Sequence, residues 1–306
     1  MKKKKKLFRK KDIPLYIMML PTIIVLVLFD YIPMGGLVLA FKKYNVGKGI
    51  FGSPWNSFKN FEFLFASTDS AIIVRNTILY NLAFIVLGTI LAVALAIILG
   101  EIFAKRAAKV FQTVYMMPYF LSWAAVAIFV EAYLSTSNGV VNQIAEAMGG
   151  SGKTNWYNAK QIWPFLLVFI YLWKTVGYST VLYMASISGI PQDQYEAAML
   201  DGASRFQQHR FITLPGLSMI ICLTLITSLG NIFRSDFGLF YLVTKNTGAL
   251  YSVTQNLDTY IYNGLKGTGN LGMTTAAGLF QSVIGFLTLI GANKVVSMIN
   301  SENSLF

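Results

Sequence analysis

Residues 196–215 read EAAMLDGASRFQQHRFITLP, a polar, helix-prone island between two long apolar runs, 163–187 and 217–239. Apolar runs of this length match a bilayer's hydrocarbon core, which takes about 20 residues of helix at about 1.5 Å each. Outward from the island the same pattern recurs at 15–29, continuing past Pro33 to Ala40, and at 76–99, 110–130 and 274–296. The sequence therefore predicts an all-α integral membrane protein with six transmembrane helices and the island between the fourth and fifth. An even count with the N-terminus inside places both termini and the island in the cytoplasm.

Composition excludes several function classes. With 55% hydrophobic and only 12% charged residues in 306, the chain is too apolar for a soluble domain of its size. The net charge is +12, but eight of the 25 Lys and Arg lie in the opening MKKKKKLFRKK. That block is a membrane-orienting tail, and without it the two sides of the membrane carry nearly equal positive charge. The remaining basic residues form no aromatic-basic groove, so no nucleic-acid partner is expected. The first apolar run resembles a secretory signal, with residues 38–40 as a loose cleavage site. Its length and the spans after it argue for an uncleaved helix. A single cysteine, Cys222, and a single histidine, His209, exclude a disulfide framework and leave little for a metal site or an intramembrane enzyme. Most of the 13 acidic residues fall in loops or near span ends, whereas ion-coupled carriers place carboxylates near the midplane. AMGGSGKT at 147–154 nearly matches a phosphate-binding loop. Ala147 replaces its first glycine, and the strand and helix that such a loop needs are missing from its expected place in an external loop.

Within the island the spacing predicts two short helices. Pro191 suits a helix entry, and Asp193 with Glu196 has capping-box spacing. The first helix, QYEAAMLD, clusters Tyr195, Ala198 and Met199 on one side. Gly202 takes the left-handed conformation that ends it. Ser204 and Gln207 form a second box and open another helix, which ends as Pro215 begins the next span. Two helices meeting at a glycine make a compact knob suited to a cleft on another protein; an interfacial amphipathic hairpin is the plainer alternative. His209 reads as surface. Pro118 is expected to kink the third span, and the Tyr115, Tyr119, Trp123 stripe beside it reads as helix packing.

Glu196-Ala197-Ala198, three residues, Gly202, nine residues, then Ile212-x-Leu214-Pro215 resembles the EAA motif of ABC importer permeases throughout its length. WKTVGY (Trp173 to Tyr178), FYLVTKNTGAL (240–250), TYIYNGL, GMTTAAGLFQS and the terminal ENSLF are similar to the carbohydrate branch, in particular the polysaccharide and oligosaccharide permeases. The resemblance implies a layout of basic tail (1–14), first helix and external loop (15–71), importer transmembrane domain (72–297) and C-terminal tail (298–306).

It further implies a permease subunit in the cell membrane that moves a sugar by alternating access. The expected partners are a second permease in a heterodimer, two cytoplasmic ATPases and an external binding protein that delivers an oligosaccharide. This chain would bind no cofactor; ATP and Mg belong to the ATPase. The residues implied for ATPase coupling are Tyr195, Glu196, Ala197, Ala198, Asp201, Gly202, Arg205, Leu214 and Pro215. Those implied for the substrate path are Trp173, Val176, Gly177, Thr180, Ile232, Phe233 and Asp236, with Asn231, Lys174 and Arg234 as polar neighbours. Packing of Trp173, and pairing of Arg234 with Asp236, are the alternative roles. A permease for peptides, phosphate or osmolytes is the nearest rival, since the island is common to all of them.

Overall fold

A computed structural model describes residues 13–66, 68–101, 105–267, 269–301 and 304–305; the basic tail at 2–11 lies outside them. The described residues form an all-α, multi-span membrane fold. Four helices are long and apolar enough to cross a bilayer: α1 (Ile13–Phe41), α2 (Thr68–Gly100), α5 (Trp163–Ser188) and α10 (Leu271–Ile299). Two bent pairs supply further apolar segments. Helices α3 (Lys105–Met116) and α4 (Trp123–Leu134) belong to a pair bent by 95°, and α7 (Arg205–Gly216) meets α8 (Ser218–Gly230) at 55°. Six spans result if each pair is one span. The island's first helix is α6 (Gln192–Leu200), and α9 (Leu257–Gly267) precedes the last long helix.

Packing concentrates on α2 and α5. Phe84 and Tyr171 stack with ring centroids 3.8 Å apart. Lower down, Ala92, Val93 and Ala96 bury against Val176, Tyr183 and Leu217. Small residues bring the helix axes close where lipid offers no hydrophobic drive of its own. Of α1, only the final 3₁₀ stretch Gly35–Phe41 is buried, at Leu39 and Ala40, against α10. Asn60 fastens it by donating to the carbonyls of Ala40 and Lys42, each at 2.9 Å.

The third and fifth apolar runs depart from continuous helices. In the third, a kink at Pro118 was the expectation; the chain instead stops and restarts. Met117–Phe120 is a 3₁₀ turn, Leu121 is extended, and Ser122 caps α4 by accepting from the Ala125 N–H at 3.2 Å. In the fifth, helix ends at Gly230 rather than continuing to 239, and regular structure resumes only at Gly238–Val243.

Broken backbone at membrane depth needs partners for its carbonyls, and distant helices supply them. The Lys174 ammonium donates to the Tyr119 carbonyl at 2.8 Å and sits over the Tyr119 and Trp123 rings. Asn81 Nδ2 donates to the Ile232 carbonyl at 2.9 Å, and Gln281 Nε2 to that of Phe233 at 2.8 Å. Lys174→Met keeps the apolar stem and deletes the donor. It is expected to cost about 1–3 kcal/mol, the desolvation penalty of an orphaned carbonyl, read as a fall in Tm of the detergent-purified protein. An unchanged Tm refutes that role.

Candidate functional site

Two regions concentrate polar groups. The first is a cavity of about 400 Å³ where α2, α5 and α8 converge. From α2 come Asn81, Phe84 and Thr89; from α5 come Tyr171, Thr175, Val176, Ser179 and Tyr183; from α8 and the break after it come Thr224, Thr227, Ser228, Asn231, Arg234 and Asp236. Several hydroxyls donate back to their own helix: Thr175 to the Tyr171 carbonyl at 2.7 Å, Thr224 to Ile220 and Thr227 to Leu223 at 2.9 Å. Each such oxygen keeps lone-pair capacity for a solute hydroxyl. Tyr183 and Thr224 bridge α5 and α8 at 3.0 Å.

Charges at the upper rim are unequally placed. Asp236 accepts from the Gly238 N–H at 3.2 Å. Among the described residues no carboxylate lies within 4.0 Å of Arg234, so the alternative role, pairing of Arg234 with Asp236, is not formed. Beyond the spanning helices, burial pushes the Asp258 carboxyl up, while the Ser235 N–H donating to it at 2.5 Å pulls it the other way.

Of the implied path residues, Val176, Asn231 and Asp236 line this cavity. Thr180 is fully buried and donates to the Val176 carbonyl. Gly177 lies against the Tyr115 backbone. Trp173 is 44% exposed on the outside of α5. Ile232 and Phe233 offer their carbonyls to Asn81 and Gln281, and the Phe233 ring meets Phe280 edge-on. Lys174 turns to Tyr119. Sequence reasoning passed over the α2 wall and the hydroxyls. Their signal is Thr224, Thr227 and Ser228 at i, i+3, i+4 spacing inside an apolar helix.

The second region is the island. The expected Asp193 cap is not formed: Pro191 is the N-cap of α6, no side chain caps it, and Asp193 lies inside the first turn. Proline starts the helix earlier than the box spacing suggested, and the carboxylate there still faces the helix's positive end. Gly202 has φ +78°. Ala203 N–H bonds the Ala198 carbonyl at 2.9 Å and Gly202 N–H that of Met199 at 3.1 Å, the paired bonds of a Schellman stop. The Ser204–Gln207 capping box is present, with Gln207 Oε1 accepting from the Ser204 N–H at 2.7 Å.

Glu196, Ala197, Asp201, Gly202, Arg205, Leu214 and Pro215 are exposed, while Tyr195 and Ala198 are half-buried. Leu200 and Phe206, unremarked in the sequence, are 90% and 72% exposed beside Gly202 and give the knob an apolar tip. His209 is not free surface: its side chain is mostly covered, with Nε2 3.3 Å from Glu101 and Nδ1 3.2 Å from Thr213. Arg205 reaches the same carboxylate at 3.7 Å.

The near-match to a phosphate loop follows helix Val140–Ala147 and precedes a 3₁₀ turn at Trp156–Asn158, so no strand-to-helix cradle exists there.

Residues 85–297 match the family described as binding-protein-dependent transport system inner membrane component. The chain belongs to this family. It is a multi-pass permease subunit of an import system, not an enzyme. The Bacillus subtilis (strain 168) protein LplB is 31% identical over 96% of this chain and 91% of its own length. The polygalacturonan/rhamnogalacturonan transport system permease protein YteP of the same organism is 31% identical over 94% of this chain and 89% of its own. In the crystal structure of a bacterial ABC transporter involved in import of the acidic polysaccharide alginate, one chain superposes with TM-score 0.84. It is 31% identical, and the match covers 95% of this permease and 97% of that chain.

Proposed function

We propose that this permease forms one half of an ATP-driven pathway that carries an oligosaccharide, delivered by an external binding protein, into the cytoplasm. The observation that carries the reading is the cavity where α2, α5 and α8 meet. Phe84 and Tyr171 offer apolar ring surface, while Asn81, Thr175, Ser179, Thr227 and Asn231 offer hydrogen-bonding groups. Rings that cover apolar faces and amides or hydroxyls that bond rim oxygens are what a sugar needs. The likeness to the alginate and polygalacturonan systems supports a polymer-derived sugar over a peptide or osmolyte.

In this reading each bent pair is one span, giving six, and α6 and α7 face the cytoplasm between the fourth and fifth. A second, different permease completes the pathway. Two ATPases dock on the α6–α7 knobs and hold ATP and Mg. Trp173, Gly177, Thr180, Ile232 and Phe233 shape the path from behind its wall, and Val176, Asn231 and Asp236 border it.

The test is uptake into proteoliposomes carrying the permease pair and ATPases, with the binding protein outside. ATP-dependent uptake of uronate or neutral oligosaccharides is expected. Uptake of peptides or osmolytes alone, or uptake driven by an ion gradient without ATP, refutes the assignment. Among the described residues the Asn231 side chain donates to the Thr227 carbonyl in the helix just before it, so Asn231→Leu should leave the fold intact. Losing about one hydrogen bond to the passing sugar lowers uptake about tenfold, with binding-protein-stimulated ATP hydrolysis retained.

A further inference from the structure

We propose that Glu101, His209, Thr213 and Tyr195 form a rigid polar joint that carries movement of the cytoplasmic knob into α2, the cavity wall that does not run directly into it. This rests on the reading of the knob as the ATPase-docking element. Of the three helices around the cavity, α5 runs directly into α6, and α8 continues from α7. Helix α2 ends at Gly100, about a hundred positions before the knob begins. Its directional bonds elsewhere, such as Asn81 to the Ile232 carbonyl, lie toward the far end of the helix; nearer the knob, Ala92 and Ala96 hold it laterally, and methyl groups carry no directional bond that resists sliding.

The joint supplies that direction. Glu101, the residue after α2, has Oε1 3.3 Å from His209 Nε2 and 3.7 Å from Arg205 Nη1. On the far side of the ring, His209 Nδ1 lies 3.2 Å from Thr213 Oγ1. Thr213 Oγ1 in turn lies 2.9 Å from the Tyr195 hydroxyl in α6. A carboxylate only accepts, so Nε2 carries the hydrogen that faces it. In the neutral ring Nδ1 then accepts from the Thr213 hydroxyl, which accepts from the Tyr195 hydroxyl.

The π-turn His209–Thr213 puts both of its end residues into this one line, and turns of this kind recur at functional positions. Thr213 is 2% exposed and Gln208, one residue before the ring, 3%, so the joint is set in packed surroundings. By contrast α6 has no buried residue. Its angle to α7 is fixed by the Schellman stop at Gly202 and by the Tyr195–Thr213 bond. From Glu101 upward, α2 is unbroken helix to Thr89, Phe84 and Asn81 on the cavity wall. A displacement of the knob thereby reaches the solute's position as a rigid-body movement.

The experiment uses the whole reconstituted complex. Glu101→Ala is expected to lower uptake at least about tenfold, the effect of losing one charge-assisted bond, while ATP hydrolysis stays within about twofold of wild type. Glu101→Gln keeps an acceptor for Nε2–H and restores most of the uptake. In a Cys222→Ser background, Glu101→Cys with His209→Cys, bridged by a short bifunctional thiol reagent, should transport at least as well as before bridging, because the joint never opens.

Full uptake by Glu101→Ala, or arrest of uptake by the bridge, overturns the proposal. The bridge arm stands even if the alanine variant fails to fold. A Gly202→Trp variant separates the two readings. If it transports normally the docking assignment fails, whereas if it is inactive while Glu101→Ala is normal only the joint fails.

Discussion

Gly202→Trp is expected to abolish uptake and ATPase association while the chain remains folded and inserted. Gly202 holds φ +78°, and a Cβ built there meets nothing within 4 Å. The intramolecular cost of a side chain is therefore only that of an L-residue in the left-handed region, about 1–2 kcal/mol, too little to unfold a packed membrane domain. What a side chain meets is whatever docks on the tip, where Leu200 and Phe206 stand exposed on either side. Gly202→Asn separates the two contributions, since asparagine tolerates this conformation better than most residues. If backbone strain were the whole effect, Asn would act nearly as glycine. If the tip enters a cleft, Asn still reduces uptake and Trp eliminates it. The measurements are ATP-dependent uptake and co-purification of the ATPase from membranes. Normal uptake by the Trp variant would falsify the docking role of the knob.

What was legible in the sequence is what local chemistry decides. The stop at Gly202 and the box at Ser204 follow from residue type and spacing over a few positions, and both form. The fourth and last apolar runs end close to where hydropathy places them, at Trp163–Ser188 and Leu271–Ile299, because an uninterrupted apolar helix needs nothing but itself to satisfy its backbone. The breaks in the third and fifth runs were not legible, apart from the proline. They persist because Lys174, Asn81 and Gln281 hand hydrogen bonds to carbonyls 48 to 151 positions away, and no periodicity encodes such a partner. His209 was misread for the same reason: it stands in a polar stretch of sequence, and its partner Glu101 comes from the end of a different helix. The α2 wall of the cavity was missed because Asn81 and Thr89 are isolated polar residues in an apolar run, visible as lining only once α5 and α8 are set beside them.

A large loss of stability is expected on substitution of Gly177. A Cβ at this buried position in α5 would fall 2.3 Å from the Tyr115 carbonyl oxygen of α3 and 3.0 Å from its carbonyl carbon. On the other side of the same break, a Cβ at Gly238 would fall 2.4 Å from the Trp123 ring. Two glycines thus let α5 and the Gly238–Val243 turn close on the broken segment, and at that separation Lys174 donates to the Tyr119 carbonyl. A main-chain oxygen cannot rotate out of the way as a side chain can, so relief at Gly177 requires moving α5 away from α3. Gly177→Val should then cost the upper end of the overpacking range, about 3 kcal/mol or more, and yield little folded protein, with Gly177→Ala intermediate. The control is Gly278 in α10, which has open space at its Cβ position. There Gly→Ala gains helix propensity of about 1 kcal/mol and should leave Tm unchanged or raised. The same substitution therefore carries opposite signs at two helical glycines. A rise in Tm for Gly177→Ala matching that of Gly278→Ala would show that the close approach of α5 to the break does not exist in the folded protein.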